Sequence, residues 1–171
     1  LDAIRTIAEY LPKALEDGGD MEARSKMAYA DSLGGYTNSN AGVTLPHGLG
    51  MQVGGHCPHV THGQALAAIY PEFTRFTWKS TVEKFAAVGR IFNQDLEKET
   101  DEIAAEKCCE EIDHFLKKID MWIGFKDLNV TMEDIREIAD CGQVLGDYLN
   151  NPRVATIDEM YELLTACYER K

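Results

Sequence analysis

Residues 45–66 read Leu-Pro-His-Gly-Leu-Gly-Met-Gln-Val-Gly-Gly-His-Cys-Pro-His-Val-Thr-His-Gly-Gln-Ala-Leu. Four of the five histidines of the chain lie in this stretch, at positions 47, 56, 59 and 62. They stand among glycines and prolines, which end or bend helices. Four imidazoles within sixteen positions are hard to explain as ordinary solvent-exposed residues, so we expect the functional site of the protein to lie here.

The stretch must fold back on itself if two of its histidines are to share one ion. His47 and His62 lie fifteen positions apart, which is about 22 Å along an unbroken helix. The sequence predicts a helix that ends at Gly54-Gly55, a turn that Pro58 enforces, and a second helix that Thr61 caps. His62 then falls in the first turn of the second helix. The reversal brings two neutral imidazoles together, an arrangement common for zinc or ferrous iron.

Two imidazoles alone do not complete a metal site, because catalytic sites usually have three or more protein ligands and an open position. The one histidine outside this stretch, His114, lies among acidic residues and is expected to be an ordinary surface or half-buried residue. His56 and His59 fall in the turn, where lining a pocket or transferring a proton is as reasonable as binding the ion. Either the site is weak, or further ligands lie upstream. The chain starts at Leu1 within a helical pattern, without an initiating Met or a capping residue, which favours the second interpretation.

Composition restricts the class of protein. The 171 residues suffice for one hydrophobic core, and 44% hydrophobic with 27% charged residues is typical of a globular domain. A formal net charge of −12 argues against nucleic acid or an anionic membrane as a partner. No apolar run is long enough to span a bilayer, and no secretory leader opens the chain. The five cysteines are odd in number and lack metal-type spacing, so we expect thiols in a reducing cytoplasm.

Apolar residues recur at three- and four-residue spacing along most of the chain, which predicts amphipathic helices. The first helix covers residues 1–16. Kinks or breaks are expected at Pro12 and, in a later helix, at Pro71. The longest helical pattern covers residues 95–119, with Ile103 facing inward and an acidic outer face.

Capping residues mark the starts of further helices. Ser80 is expected to cap a helix that ends at Phe92. Thr131 and Thr156 each precede an acidic residue by three positions, which is the pattern of a capping box. No strand-like alternation of any length occurs. The predicted fold class is therefore all-α, a single multi-helix bundle over residues 1–171.

Several separate motifs occur in an order known from one enzyme family. They are the leucine-rich helix that contains Leu11-Pro12, Ala23-Arg24 followed by Met27 and Ala30, Asn40-Ala41-Gly42, His47, His62-Gly63, and Asn151-Pro152-Arg153. With these motifs the chain resembles the C-terminal helical domain of the iron-containing (group III) alcohol dehydrogenases, whose fold is of the dehydroquinate synthase type. The resemblance extends almost from end to end. It implies that residues 1–171 are an all-helical metal-side domain, a fragment that lacks an N-terminal nucleotide-binding α/β domain.

The resemblance also implies a metal-ligand set of one Asp and three His. His47 and His62 are the last two histidine ligands by this resemblance, and the Asp and the first His precede the chain. The ion is expected to be Fe²⁺, with Zn²⁺ as the alternative. The chain departs from the family four residues after the first of these ligands. The family has a histidine there that is involved in proton handling, whereas this chain has Met51. The turn is also one residue longer, so His56 or His59 are the candidate catalytic residues for proton transfer.

By the same resemblance, the parent protein interconverts an alcohol and an aldehyde or ketone, with the metal as Lewis acid and NAD(P) as hydride carrier. NAD(P) would be bound mainly by the absent domain. Leu49, Met51 and Val53 are candidates for lining the substrate pocket. We expect a small alcohol or aldehyde as substrate, a homo-oligomeric parent, and an inactive isolated chain. The alternatives are a related enzyme of the same superfamily and a non-enzymatic helical module that binds metal or mediates assembly.

Overall fold

The structure, a computed structural model, describes residues 1–170, and no strand occurs among them. The α-helices are α1 (Asp2–Glu16), α2 (Met21–Ala41), α3 (Leu45–His56), α4 (His62–Thr77), α5 (Val82–Phe92), α6 (Asp101–Lys118), α7 (Met132–Asp140) and α8 (Ile157–Ala166). Short 3₁₀ helices lie at Trp78–Ser80, Gln94–Lys98 and Gly146–Asn150. The predicted all-α class is confirmed.

The chain divides into two compact units, and each unit is built from two separate stretches of sequence. Unit 1 comprises Leu1–Gly42 and Thr81–Asp120, and unit 2 comprises Val43–Ser80 and the stretch from Met121 onwards. Unit 1 therefore contains α1, α2, α5 and α6, whereas α3, α4, α7 and α8 belong to unit 2. The whole histidine-rich stretch lies in unit 2.

Small side chains set the helix spacing in unit 1. There α1 packs against α2, and α5 packs against α6. At Gly89 in α5, an added Cβ would lie 2.6 Å from the carbonyl oxygen of Ala104 in α6, so glycine is required for this close approach. Ala86, Ala104 and Cys108 are completely buried in the same unit. The two helices can therefore pack with their backbones close together.

Unit 2 contains larger buried side chains and positions the histidine-rich stretch. In it α3 packs against α4 and α7 and contacts the 3₁₀ helix Gly146–Asn150, while α8 packs against α4 and α7. Completely buried side chains of this unit are Leu45, Leu49, Val53, Ile69, Phe125, Ile135, Ile138, Met160 and Leu164. The three from α3 recur every four residues, so one face of α3 is fixed in the core. This fixes the direction in which its other side chains point.

Two prolines that were expected to interrupt helices lie inside continuous ones. The helix α1 continues through Pro12, and α4 continues through Pro71. Proline removes one backbone donor but leaves the bonds of the neighbouring turns in place. In α4 the Thr74 hydroxyl donates to the Pro71 carbonyl oxygen at 2.8 Å, and Pro71 is itself buried. No break occurs at either proline.

Two helix starts differ from those predicted by one residue or more. The N-cap of α5 is Thr81 rather than Ser80. The helix α6 begins at Asp101, because Thr100 caps it by accepting a hydrogen bond from the Ile103 backbone at 3.4 Å. Ile103 is 39% exposed, so the prediction that it faces inward is wrong. The buried face of α6 is formed instead by Ala104, Ala105, Cys108, Cys109, Asp113 and Leu116.

None of the described helices combines the length and the apolarity that a membrane crossing requires. The five cysteines are present as thiols, as predicted. Cys57, Cys108 and Cys167 are almost completely buried. Burial raises the pKa of Cys108 and of Cys167 to about 12. These two thiols are therefore protonated at neutral pH.

Candidate metal centre

The first histidine of the candidate centre lies in the first turn of α3. Pro46 occupies the first turn as well, where its missing N–H costs nothing. The His47 backbone N–H donates to the carbonyl oxygen of Thr44 at 3.0 Å. The helix continues through Gly54 and Gly55 and ends at His56, so the two glycines lie in its last turn rather than ending it.

The second histidine is the first residue of α4, as predicted. Thr61 and Gln64 form a capping box: the Thr61 hydroxyl accepts from the Gln64 backbone at 3.4 Å, and the Gln64 side chain accepts from the Thr61 backbone at 3.0 Å. The turn between α3 and α4 is therefore closed by local hydrogen bonds, which start α4 at His62.

The fold-back brings the rings of His47 and His62 together. Their centroids are 5.0 Å apart, and the ring planes cross at 76°. This close approach depends on Gly50, one turn after His47 in α3. A Cβ at that position would lie 3.2 Å from His62 Cε1 and 3.2 Å from a methyl carbon of Leu66. The absence of a side chain at residue 50 therefore makes room for the His62 ring.

An aspartate approaches His47 from a distant part of the sequence. Asp147, in the 3₁₀ helix Gly146–Asn150, has its Oδ2 atom 3.1 Å from His47 Nδ1. Sequence reasoning did not find this residue, because the pair is separated by 100 positions. The one signal in the sequence is that Asp147 stands four positions before Asn151-Pro152-Arg153.

The side chains present fit part of a divalent-metal site. Imidazole nitrogens are suitable ligands for both iron and zinc, and the rings of two histidines converge here. Within residues 1–170, no group of three or more His, Cys, Asp or Glu side chains is arranged to hold an ion. The pair is therefore consistent with two of the ligands of a larger set.

His56 and His59 each direct one ring nitrogen to a backbone carbonyl oxygen. His56 Nδ1 lies 2.9 Å from Gln52 O in its own helix, and His59 Nε2 lies 2.9 Å from Leu128 O. A carbonyl oxygen only accepts hydrogen bonds, so these nitrogens are the donors, and in the neutral imidazole the other nitrogen of each ring is the proton acceptor.

Asp134, the third residue of α7, interacts with both of these histidines. Hydrogen bonds from the Thr131 side chain and backbone hold the pKa of the Asp134 carboxyl below its usual range, and the nearby His56 and His59 add to the effect. Burial raises the pKa of the Cys57 thiol, and the neighbouring Asp134 carboxylate raises it further. This part of unit 2 thus stabilises an ionised carboxylate beside a neutral thiol.

The three candidate pocket residues differ in exposure. Leu49 and Val53 are completely buried in the core of unit 2, whereas Met51 is 50% exposed. The alternation follows from helix geometry, because residue 51 projects away from the face that carries 49 and 53. Met51 is thus the member of this set that a molecule in solution can reach.

A separate concave surface occurs in unit 1. A groove of about 1020 Å³ is lined by residues of α1, α5, α6 and the 3₁₀ helix Gln94–Lys98, among them Arg5, Glu97, Glu111 and Lys118. His114 lies at this groove; its side chain is 67% exposed and stands 3.6 Å from Glu111. This agrees with the surface or half-buried position that the sequence predicts for His114. The lining mixes both signs of charge.

The Asn-Pro-Arg segment ties two parts of unit 2 together. The Asn151 side chain is buried and donates to Thr77 Oγ1 at 3.2 Å and to the Arg153 carbonyl oxygen at 2.8 Å. The Arg153 guanidinium stacks over the Phe76 ring at 3.8 Å and pairs with Glu159. The segment therefore fixes the chain that follows Asp147 onto the end of α4.

Comparison with known sequences places this arrangement in a family. The model of the Fe-containing alcohol dehydrogenase family, C-terminal part, matches residues 1–168. An NAD-dependent methanol dehydrogenase of Bacillus methanolicus is 30% identical over 170 residues, covering 96% of this chain and 43% of the relative. A 1,3-propanediol dehydrogenase of Klebsiella pneumoniae is 30% identical over 160 residues, covering 94% and 41%. The chain thus spans less than half the length of these relatives.

Solved structures show the same fold. A 1,3-propanediol oxidoreductase superposes with a TM-score of 0.92 at 29% identity, over 98% of this chain and 44% of that one. An archaeal halo-thermophilic alcohol dehydrogenase from a Red Sea brine pool gives 0.91 at 29% identity, over 97% and 43%. Because the family model covers nearly every residue, the chain belongs to the Fe-containing alcohol dehydrogenase family and corresponds to the C-terminal part of its members.

Proposed function

We propose that this chain is the metal-binding helical part of an NAD(P)-dependent alcohol dehydrogenase that interconverts a small alcohol and an aldehyde or ketone. The observation that carries the proposal is the pair of His47 and His62, whose rings lie 5.0 Å apart although fifteen residues separate them in sequence. Family membership and the names of the relatives, which are dehydrogenases of methanol and of 1,3-propanediol, support it.

His47 and His62 would supply two nitrogen ligands to a divalent cation, Fe²⁺ in the first place and Zn²⁺ as the alternative. Such an ion acts as a Lewis acid that polarises a carbonyl or lowers the pKa of an alcohol. The other ligands, an Asp and a third His by family resemblance, and the NAD(P)-binding α/β domain would come from residues outside this chain. The complete protein is proposed to be cytoplasmic and homo-oligomeric.

His56 and His59 are the residues proposed to hold or move the proton that the reaction exchanges with solvent. The family's histidine at this step is replaced by Met51, whose thioether cannot relay a proton. His56 stands one helical turn beyond position 52 in the same helix and retains one ring nitrogen as an acceptor. Met51, half exposed on α3, would contact the apolar part of the substrate, with Leu49 and Val53 holding the helix behind it.

The proposal is tested with His47→Ala and His62→Ala in the complete polypeptide that carries this chain. Each change removes one nitrogen ligand, so we expect the purified protein to lose its bound metal and its NAD(P)-linked turnover together. Metal content by plasma mass spectrometry and the steady-state rate are the two measurements. His114→Ala, at an exposed position in unit 1, is the control and should alter neither. A double variant, His47→Ala with His62→Ala, that keeps its metal and its rate would contradict the proposal.

A second candidate function is a non-enzymatic helical module that binds metal weakly or mediates assembly. The observation in its favour is that residues 1–170 contain no complete set of metal ligands. Assays of the complete polypeptide on a panel of alcohols, diols and hydroxy acids separate the two. Turnover on any of them supports the dehydrogenase, and the pattern of substrates distinguishes an alcohol dehydrogenase from related enzymes of the superfamily.

A further inference from the structure

The candidate metal centre contains a carboxylate that the ligand set does not account for. Asp147 Oδ2 stands 3.1 Å from His47 Nδ1, and both side chains are partly buried, with 22% of Asp147 and 32% of His47 exposed. A contact of this length between partly buried groups is stronger than a similar pair at the surface, where solvent screens it.

The approach of Asp147 depends on a second glycine of α3. A Cβ on Gly48 would lie 3.2 Å from Asp147 Cβ and 3.5 Å from Asp147 Oδ2. Any larger residue at position 48 would therefore push the carboxylate away from the neighbouring His47. The absence of a side chain at Gly48 thus makes room for Asp147, and its absence at Gly50 makes room for His62.

The 3₁₀ helix that carries Asp147 is also held in place by its last residue. The Asn150 side chain donates to the carbonyl oxygen of Val43 at 3.1 Å, just before the start of α3. Two side chains of the Gly146–Asn150 segment therefore hold it to the start of α3: Asp147 contacts His47 in the first turn, and Asn150 bonds Val43, just before the N-cap. The carboxylate is fixed at His47 by this segment rather than reaching it from a mobile loop.

The chemistry of the pair determines which nitrogen of His47 carries the proton. An ionised carboxylate is an acceptor only, so Nδ1 must be the donor and must carry the hydrogen. Nε2 is then the nitrogen with a lone pair, directed away from Asp147. Histidines that bind metal ions usually donate their other ring N–H to such a carboxylate or to a carbonyl, which fixes the tautomer and the ring orientation.

From these contacts we infer that Asp147 is a positioning residue, which holds the His47 ring in the Nδ1–H tautomer and presents Nε2 to a divalent cation. The inference rests on the proposed function, because it assigns His47 as a ligand. Asp147 does not itself bind the ion or touch the substrate. The His62 ring is positioned by a different contact: it packs against α3 at Gly50, where no side chain stands in its way.

The test uses the complete polypeptide with Asp147→Ala and Asp147→Asn. Alanine removes both the acceptor and the charge, whereas asparagine keeps an oxygen that can accept from Nδ1–H and loses only the charge. Zn²⁺ affinity is measured by competition with a chelator, and the His47 tautomer is read from ring ¹⁵N shifts in protein labelled at histidine. Glu162→Gln, an exposed acid of α8 in the same unit, is the control for loss of one carboxylate charge.

We expect Asp147→Ala to weaken Zn²⁺ binding by about 10- to 100-fold and to move the His47 proton to Nε2 in the metal-free protein. Asp147→Asn should keep the Nδ1–H tautomer and lose less affinity, and Glu162→Gln should match the wild type. If Asp147→Ala lowers only the unfolding midpoint, with tautomer and affinity unchanged, the pair is merely structural and the inference is wrong. If Asp147→Ala fails to fold, the wild type and the Asp147→Asn protein decide, because an Nε2–H signal for His47 in both of them overturns the inference.

The same assay distinguishes failure of this inference from failure of the proposed function. His47→Ala and His62→Ala are measured beside the Asp147 variants. If both histidine variants lose Zn²⁺ and Asp147→Ala does not, only the role of Asp147 is overturned. If neither histidine variant changes Zn²⁺ binding, the metal centre itself is absent, and both proposals fall.

Discussion

At the scale of single residues, Gly50 is where the space for the metal centre is made. Gly50→Ala adds a methyl group 3.2 Å from His62 Cε1, so the ring must move by a few tenths of an ångström. Alanine is favoured over glycine in a helix by about 1 kcal/mol. This gain can mask the cost of displacing the His62 ring, so the free energy of unfolding is not a sufficient test. We expect a loss of Zn²⁺ or Fe²⁺ affinity of about tenfold or more, measured by chelator competition.

Gly54→Ala is the matched control for this substitution. Gly54 lies in the same helix, and an added Cβ there meets no atom within 4 Å. It should leave metal affinity unchanged and raise the free energy of unfolding by roughly 0.5–1 kcal/mol. Equal metal affinity in the two alanine variants would show that His62 does not need the space beside Gly50.

At the scale of helices, the start of α4 sets the position of His62. Thr61→Ala removes a capping hydroxyl and should lower the free energy of unfolding by about 0.5–2 kcal/mol in urea titrations. Thr44, the N-cap of α3, makes no side-chain capping bond, so Thr44→Ala should change that free energy by less than about 0.5 kcal/mol. Similar losses in both variants would argue against the capping box as the device that starts α4.

The start of α7 predicts a response to acid. Thr131 holds the pKa of Asp134 below its usual value of 3.8, so the folded state binds this proton less readily than the unfolded state. The resulting stabilisation is complete above the usual pKa and is lost as pH falls through it towards the lower folded-state value. Asp134→Asn should therefore reduce stability at pH 7 and flatten the decline between about pH 5 and pH 3, measured by urea unfolding at each pH. A decline as steep as that of the wild type would contradict this.

Helix starts show where sequence reasoning succeeds. The N-caps Thr61, Thr131 and Thr156 are predicted correctly, because each signal is contained within four adjacent residues. Ser80 precedes Glu83 by three positions and fits this pattern, but the N-cap is Thr81, which makes no side-chain capping bond. For Pro12 the local pattern predicts a kink or a break, whereas the helix is continuous, because the hydrogen bonds of the neighbouring turns remain in place.

In the candidate metal centre, too, the features set by adjacent residues are predictable and those set by distant residues are not. The convergence of His47 and His62 is predictable, since Pro58 and the capping residue Thr61 mark a chain reversal between two helices. The contact of Asp147 with His47 is not, because 100 intervening residues must fold before the two meet. The spaces left by Gly48 and Gly50 likewise exist only relative to side chains on other elements.

At the scale of the whole molecule, the chain carries only part of the proposed machinery. Two histidines converge, and within residues 1–170 no third ligand completes the group. The purified 171-residue chain is therefore expected to show no NAD(P)H oxidation with aldehyde substrates, measured by absorbance at the nicotinamide band with and without added Fe²⁺. Oxidation that depends on His47 would show that the chain alone is sufficient and would contradict the proposed division of the site.

The arrangement of the two units is a property that local patterns do not reveal. Each unit draws on two stretches of sequence, so that α5 packs on α6 in unit 1 while the stretches on either side belong to unit 2. Amphipathic spacing identifies each helix and its apolar face but not its neighbour. Close contacts such as Gly89 with Ala104 select the partner, and these depend on three-dimensional position.

Buried thiols in both units give the molecule internal reporters of its own opening. Cys108 lies in unit 1 and Cys167 in unit 2, and burial raises the pKa of each to about 12. The thiolate is the nucleophile that attacks an alkylating reagent, so neither sulfur reacts until its surroundings loosen enough to admit both water and reagent. The alkylation rate of each cysteine therefore reports how readily its own unit opens, without any engineered label.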